Sequence, residues 1–173
     1  DPVERFAKLM EAVPGKKDKV WNTDGAAIDA ARACYDEINL KQLDKTQQKQ
    51  VKTLYAQLTA AEKTFEKNRK AAAKVDAQIE KLPFETPADM TLTHEKTITA
   101  ANKAYGKLSE EQKSFVNPEN VAYLENEVLP RLKELQDNKK LIQDAEKLVK
   151  KVPAAAKIKA SDEEKLTAAL EKV

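Results

Sequence analysis

The chain matches itself when it is slid by 70 residues. The shift lays Ile28 on Ile98, Ala30 and Ala31 on Ala100 and Ala101, and Tyr35 on Tyr105. It continues without a gap through Gln42/Gln112, Val51/Val121, Leu54/Leu124, Lys63/Lys133, Asn68/Asn138, Lys70/Lys140 and Lys81/Lys151. Upstream, a shift of 69 places Val13-Pro14 on Leu82-Pro83, and a further 70 places that pair on Val152-Pro153. A third copy begins and stops early: with a loop two residues shorter, Ser161 falls on Thr93, Leu166 on Ile98 and Val173 on Tyr105. Repetition of this kind marks supersecondary units whose apolar faces are covered by neighbours in series. We read two full copies, residues 1–66 and 67–136, and a partial third, residues 137–173.

The spacing of apolar residues makes each copy helical. Val3, Phe6, Met10 and Val13 form one stripe on a first helix, A, which Pro14 and Gly15 stop. The stripe returns as Ala72, Val75, Ile79, Leu82 and as Ile142, Ala145, Val149, Val152. A second helix, B, is expected to start after Thr23, Thr93 or Ser161, each offering a side-chain oxygen to the free N–H groups, with Ser161 and Glu164 spaced as a capping box. Its buried face would hold Ile28, Ala31, Tyr35 and Ile38, then Ile98, Ala101, Tyr105 and Leu108. A third helix, C, has Asn117 as N-cap and Pro118 at the first helical position in the second copy. With 3 Gly and 5% aromatic residues, and with Ala, Lys, Glu, Leu and Gln abundant, nothing favours a sheet.

Apolar 3-4 spacing runs on from Val51 to Leu82 with no Gly or Pro between them, 32 residues or about 48 Å of helix. Helix C of one copy is therefore expected to continue as helix A of the next, with Asn68 and Asn138 at the seams. Pro130 should kink the equivalent helix, with Leu129 and Leu132 restoring the apolar face. The expected fold is all-α: tandem three-helix bundles of ~70-residue repeats joined by long continuous, spectrin-like helices into an elongated rod. The partial third copy lacks its helix C, so its A and B helices are expected to leave an apolar face open unless a partner, or further chain downstream, covers it.

Few residues suggest chemistry. No apolar run approaches the ~20 residues of a membrane helix, so no membrane insertion is expected. The single Cys34 reads as a small buried hydrophobe, and the single His94, in the first turn of a helix, lacks companions for a metal site. Glu110-Glu111 and Glu163-Glu164 sit at helix starts, where they oppose the dipole. The chain reads as non-catalytic, without cofactor or metal. A net charge of +2 with only Arg5, Arg32, Arg69 and Arg131 as arginines gives no nucleic-acid signature. One group stands out: Lys16, Lys17 and Lys19 beside Trp21 in the first A–B loop. They suit an anionic polymer or a sugar stacked on the indole. The other reading is a Trp folded over the bundle end, since Val20-Trp21 aligns with Met90-Thr91. Tyr123, in the helix C slot held by Thr53, is a second contact candidate or an ordinary surface residue; Tyr35 and Tyr105 read as structural.

The run Ile28-Asp-Ala-Ala-Arg-Ala-Cys-Tyr35-Asp-Glu-Ile38 is echoed by Ile98-Thr-Ala-Ala-Asn-Lys-Ala-Tyr105-Gly-Lys-Leu108, followed by Ser-Glu-Glu-Gln-Lys-Ser-Phe-Val116. This resembles the helical repeats of Gram-positive bacterial cell-surface proteins of S-layer and adhesin type. In those repeats an I-x-A-A-x-x-A-Y-x-x-L pattern, then Q-K and V, follows a helix ending in a hydrophobe and Pro. The resemblance covers nearly the whole chain; the first copy departs from it between Leu40 and Lys45. It implies a secreted protein attached to the cell wall, in which these modules space neighbouring domains of the same polypeptide. It implies no catalytic residue. The alternative is a binding module that grips a cell-wall polymer, a carbohydrate or a host protein.

Overall fold

A computed structural model describes residues 1–152 and 163–171, which are all-α, with no strand among them. Helix α1 (Pro2–Met10) starts where Asp1 accepts the Val3 N–H at 2.8 Å, and its expected stripe is buried: Val3, Phe6, Met10 and, just beyond, Val13. Helix α2 spans Gly25–Asp36 and α3 spans Lys45–Glu80. Asp44 and Gln47 cap α3 reciprocally at 2.8 and 3.2 Å. Free of Gly and Pro, α3 then runs for 36 residues, about 54 Å at 1.5 Å per residue. The continuity expected from Val51 onward is observed, and the helix starts six positions earlier.

Two compact units divide the chain, residues 1–81 with 100–121 and residues 82–99 with 122–173. In the first, α1, α2 and α3 pack on one another around Phe6, Ile28, Ala31, Cys34, Val51 and Leu58. Val20 drops from the A–B loop into this core. The later part of α3 carries the buried Ala72, Val75 and Ile79. It is joined by helices α5 (Glu110–Lys113) and α6 (Pro118–Tyr123), which follow α4 (Glu95–Gly106). Phe65 meets Phe115 edge-on at 4.8 Å, and Asp76 accepts from the Asn117 N–H at 3.1 Å and the Asn120 amide at 2.8 Å. Asn117 also caps α6 through the Glu119 N–H at 3.0 Å, with Pro118 in the first turn as expected.

The starts of the B helices differ from expectation. Neither Thr23 nor Thr93 caps a helix, because residues 22–24 and 92–94 already wind as 3₁₀ turns that feed α2 and α4. The free N–H groups lie one turn earlier and find longer side chains: Trp21 N–H bonds to the Asp24 carboxylate at 2.7 Å, and Thr91 N–H to His94 Nδ1 at 3.2 Å. The first B–C segment also departs from the second: Leu40–Gln42 is a 3₁₀ turn, whereas Ser109 and Gln112 cap the short α5.

In the second unit, helix α7 (Leu129–Lys150) leads toward α8 (Glu163–Leu170). Pro130 acts on the turn before it. Residues Leu124–Val128 form a π turn in which Leu129 N–H bonds to the Leu124 carbonyl, five residues back. Pro130 has no N–H and its ring would press on the carbonyl of Asn126, so the wider turn relieves the clash and takes up one extra residue. Burial records the insertion: α3 buries Leu58 and Ala61, while 70 residues on Val128 is buried and the next buried position is Leu132 rather than Arg131.

Positions 69 or 70 apart are buried alike: Val20 and Met90, Ile28 and Ile98, Ala31 and Ala101, Met10 and Ile79. The third stripe differs, since Ile142 and Val149 are exposed, as is Asn138 at the second seam. Pro153, Ser161 with its capping box, and Val173 lie outside the described residues.

Candidate functional site

The A–B loop is held by one short-range bond and one bond to a distant segment, and it sends Val20 inward while Lys16, Lys17 and Lys19 stay exposed. Asp18 accepts the Gly15 N–H at 2.8 Å, and the Asn22 N–H bonds to Ser114 Oγ at 3.0 Å. Val20 takes the role of core plug, 2% exposed, and leaves Trp21 37% exposed. Most of the indole surface is thus covered, with one part left open to solvent. Lys19 Nζ lies 6.0 Å from the indole centre and 3.2 Å from a Glu111 carboxylate oxygen. Glu111 is held below the usual carboxylate range by its own backbone N–H and then by Lys19. Lys16 and Lys17 are exposed on the same loop. Of the four candidate contact residues, Lys19 and Trp21 are thus adjacent, with Glu111 beside them.

A second group was not legible in the sequence. The Arg32 guanidinium, on α2, grips the Glu62 carboxylate on α3 with two parallel bonds of 2.6 and 2.5 Å. It also lies 5.5 Å from the Tyr35 ring centre and 5.2 Å from that of Tyr55, while the two rings stack at 4.3 Å. Tyr35 reaches Phe6 at 5.6 Å, which keeps its expected packing role. The bond to Glu62 pulls the Arg32 pKa further above its ordinary value. Beside the stacked tyrosines opens a cleft of about 410 Å³, lined by Tyr35, Tyr55, Val51 and the exposed Leu40, with Lys41, Gln48 and Lys52 around them. Such a cleft suits a flat or ring-shaped apolar face carrying anionic or hydroxyl groups. Positions 70 residues on hold Asn102, Glu125 and Glu110 in place of Arg32, Tyr55 and Leu40. That joint divergence between copies is the signal that could have revealed the group.

The remaining candidates have structural surroundings. Cys34 is buried in the core beside Ala31. His94 is half-buried, its ring 5.4 Å from Phe84, and serves as a backbone acceptor. Tyr123 is half-buried, and burial, then Glu127, raises its hydroxyl pKa above 10.0. Among the described residues, no three His, Cys, Asp or Glu side chains gather as a metal site, and no helix is long and apolar enough to cross a membrane. No protein family, curated protein or solved structure matches the chain.

Proposed function

We propose that this chain is a non-catalytic helical spacer of a secreted bacterial cell-surface protein, of S-layer or adhesin type. In this reading three-helix repeats in series hold other domains of the same polypeptide away from the cell wall. The observation that supports it is α3. One unbroken 36-residue helix carries the buried stripe Val51, Leu58, Ala61 and then the buried stripe Ala72, Val75, Ile79. A helix shared between two apolar stripes has no flexible joint between them, which is what a stiff spacer needs. The Lys, Glu, Asp and Gln surface keeps such a chain in solution without a single-sign field.

Small-angle scattering tests the spacer geometry. A compact chain of 173 residues would have a radius of gyration of about 16 Å. The spacer reading expects a value well above this, and a value near it would overturn the reading. Antibody labelling of intact source cells tests the location; signal only after lysis would refute a cell-surface role.

A second reading, recognition of a cell-wall polymer, carbohydrate or host protein, is favoured by the exposed Trp21 beside Lys19. It expects saturable binding to cell-wall polymer or serum protein. Trp21→Ala combined with Lys16→Glu and Lys17→Glu should abolish that binding without loss of helical circular dichroism.

A further inference from the structure

We infer that the cleft beside Tyr35 and Tyr55 binds a small aromatic carboxylate, its ring against the apolar wall and its charge between Lys41 and Lys52. The cleft, of about 410 Å³, lies wholly within the first unit and has the size of a small-molecule site. Its wall is apolar: Val51 is 1% exposed, Leu40 43%, and the two tyrosine rings stacked at 4.3 Å are half-buried. Its charged lining residues, Lys41 and Lys52, are both cations and both exposed. The carboxylates on the same stretches of chain are engaged elsewhere: Asp36 and Glu62 with Arg32, Glu37 with Arg5, and Asp44 with the Gln47 N–H. Among the described residues neither lysine pairs with a carboxylate. A flat ring suits a wall of stacked rings and aliphatic side chains, and an anion suits two cations at its edge.

Both sides of the cleft are held before a ligand arrives. Arg32, fixed on Glu62 by two bonds, lies 5.5 and 5.2 Å from the two ring centres and steadies the tyrosine stack. Gln48 donates from Nε2 to the Leu40 and Leu43 carbonyls at 3.2 and 2.9 Å, which ties the turn carrying Leu40 and Lys41 to α3. A wall set in advance leaves less to order on binding. The second copy supplies an internal comparison. Positions 70 residues on keep the packing residues, with Tyr105 for Tyr35 and Val121 for Val51. The lining changes: Glu110 replaces Leu40, Glu111 replaces Lys41, Ala122 replaces Lys52 and Glu125 replaces Tyr55. The repeat thus folds without this lining, and packing gives no reason for an exposed Leu40 beside two unpaired lysines. Such a site is independent of the spacer reading.

The test titrates the intact chain with naphthoate and with its neutral counterpart, naphthylmethanol, followed by calorimetry and by NMR shifts of the tyrosine rings. Naphthoate should bind saturably and at least ~10-fold tighter than the alcohol, with shifts at Tyr35 and Tyr55. Added salt should weaken it. Lys41→Gln with Lys52→Gln should weaken binding at least ~10-fold, and so should Leu40→Glu. All three positions are exposed, so helical circular dichroism and thermal unfolding should not change. Lys139→Gln with Lys140→Gln removes the same charge at exposed positions of the second unit and should leave binding intact. Trp21→Ala should leave it intact as well. No saturable binding, or equal affinity for the alcohol, would overturn the inference. So would an equal loss in the Lys139, Lys140 variant, which would mean attraction by overall charge, or a loss in Trp21→Ala, which would move the ligand to the A–B loop.

Discussion

The side-chain amide of Asn68 donates a 2.9 Å bond to the main-chain carbonyl of Val20, 48 positions away, and both residues are buried. Asn68 sits midway along α3 between its two apolar stripes, and Val20 is the loop residue that plugs the first core. The bond therefore ties the A–B loop to the helix at the seam between them. Replacing Asn68 by Leu keeps the branched shape with larger methyl groups but leaves that carbonyl unpaired away from water, a cost of about 1–3 kcal/mol. Urea unfolding should show this loss. Amide exchange should rise first at residues 19–22, and unchanged exchange there would remove the bond from the account of loop order.

Arg32 and Glu62 tie α2 to α3 with a planar two-bond grip, each side chain being close to 30% exposed. Arg32→Lys keeps the charge but loses the fork and the broad stacking over Tyr35 and Tyr55. We expect a loss of about 1 kcal/mol, small because the pair is partly solvated. Glu62→Gln in the Lys background should then cost almost nothing more. A double-variant cycle in urea measures this, and additive losses would show that the pair does not act as a unit.

Glu66 sits against Arg69 at 2.8 and 2.9 Å and Lys70 at 3.3 Å, and these bonds hold its carboxyl from the usual 4.5 down to about 2. Arg69 comes first among the causes, and Glu111 is lowered in the same direction. A depressed carboxyl pKa supports the folded state above about pH 4.5, and that support fades as pH falls toward about 2. The urea midpoint should drop over this window, and Glu66→Gln should flatten the drop. High salt should shrink the difference, because the pairs are exposed and screened. Parallel curves for the two proteins would assign the acid sensitivity to other carboxylates.

What the sequence revealed and what it hid separate by the range of the interaction. The stripe of α1 and the length of α3 follow from side-chain spacing and from the absence of Gly and Pro, which are local properties of a helix. Helix starts depend on which neighbour reaches a free N–H, and Asp24 and His94, not Thr23 and Thr93, reach it once a 3₁₀ turn precedes the helix. The shift of burial to Leu132 depends on how the chain accommodates Pro130, and a π turn is one solution among several. Trp21 and Val20 are adjacent apolar residues, and only the course of the loop decides which plugs the core. The Arg32, Tyr35, Tyr55 and Glu62 group needs the crossing of α2 over α3, 30 residues apart for the bonded pair.

Gly25 tests how closely the first core is packed. It lies in regular helical backbone at the start of α2, where Ala would ordinarily favour the helix by about 1 kcal/mol. A Cβ there would come within 2.9 Å of Phe65 Cζ and 3.2 Å of Cε2. The Phe65 ring is not free to swing, since Phe115 meets it edge-on at 4.8 Å. Crowding of this kind costs about 1–3 kcal/mol, which outweighs the gain in helix propensity. Gly25→Ala should therefore destabilise the protein, and Gly25→Ala with Phe65→Leu should recover part of the loss. Thermal unfolding of the single and double variants decides the matter: a more stable Gly25→Ala protein would mean that the ring yields and that local helix preference governs this site.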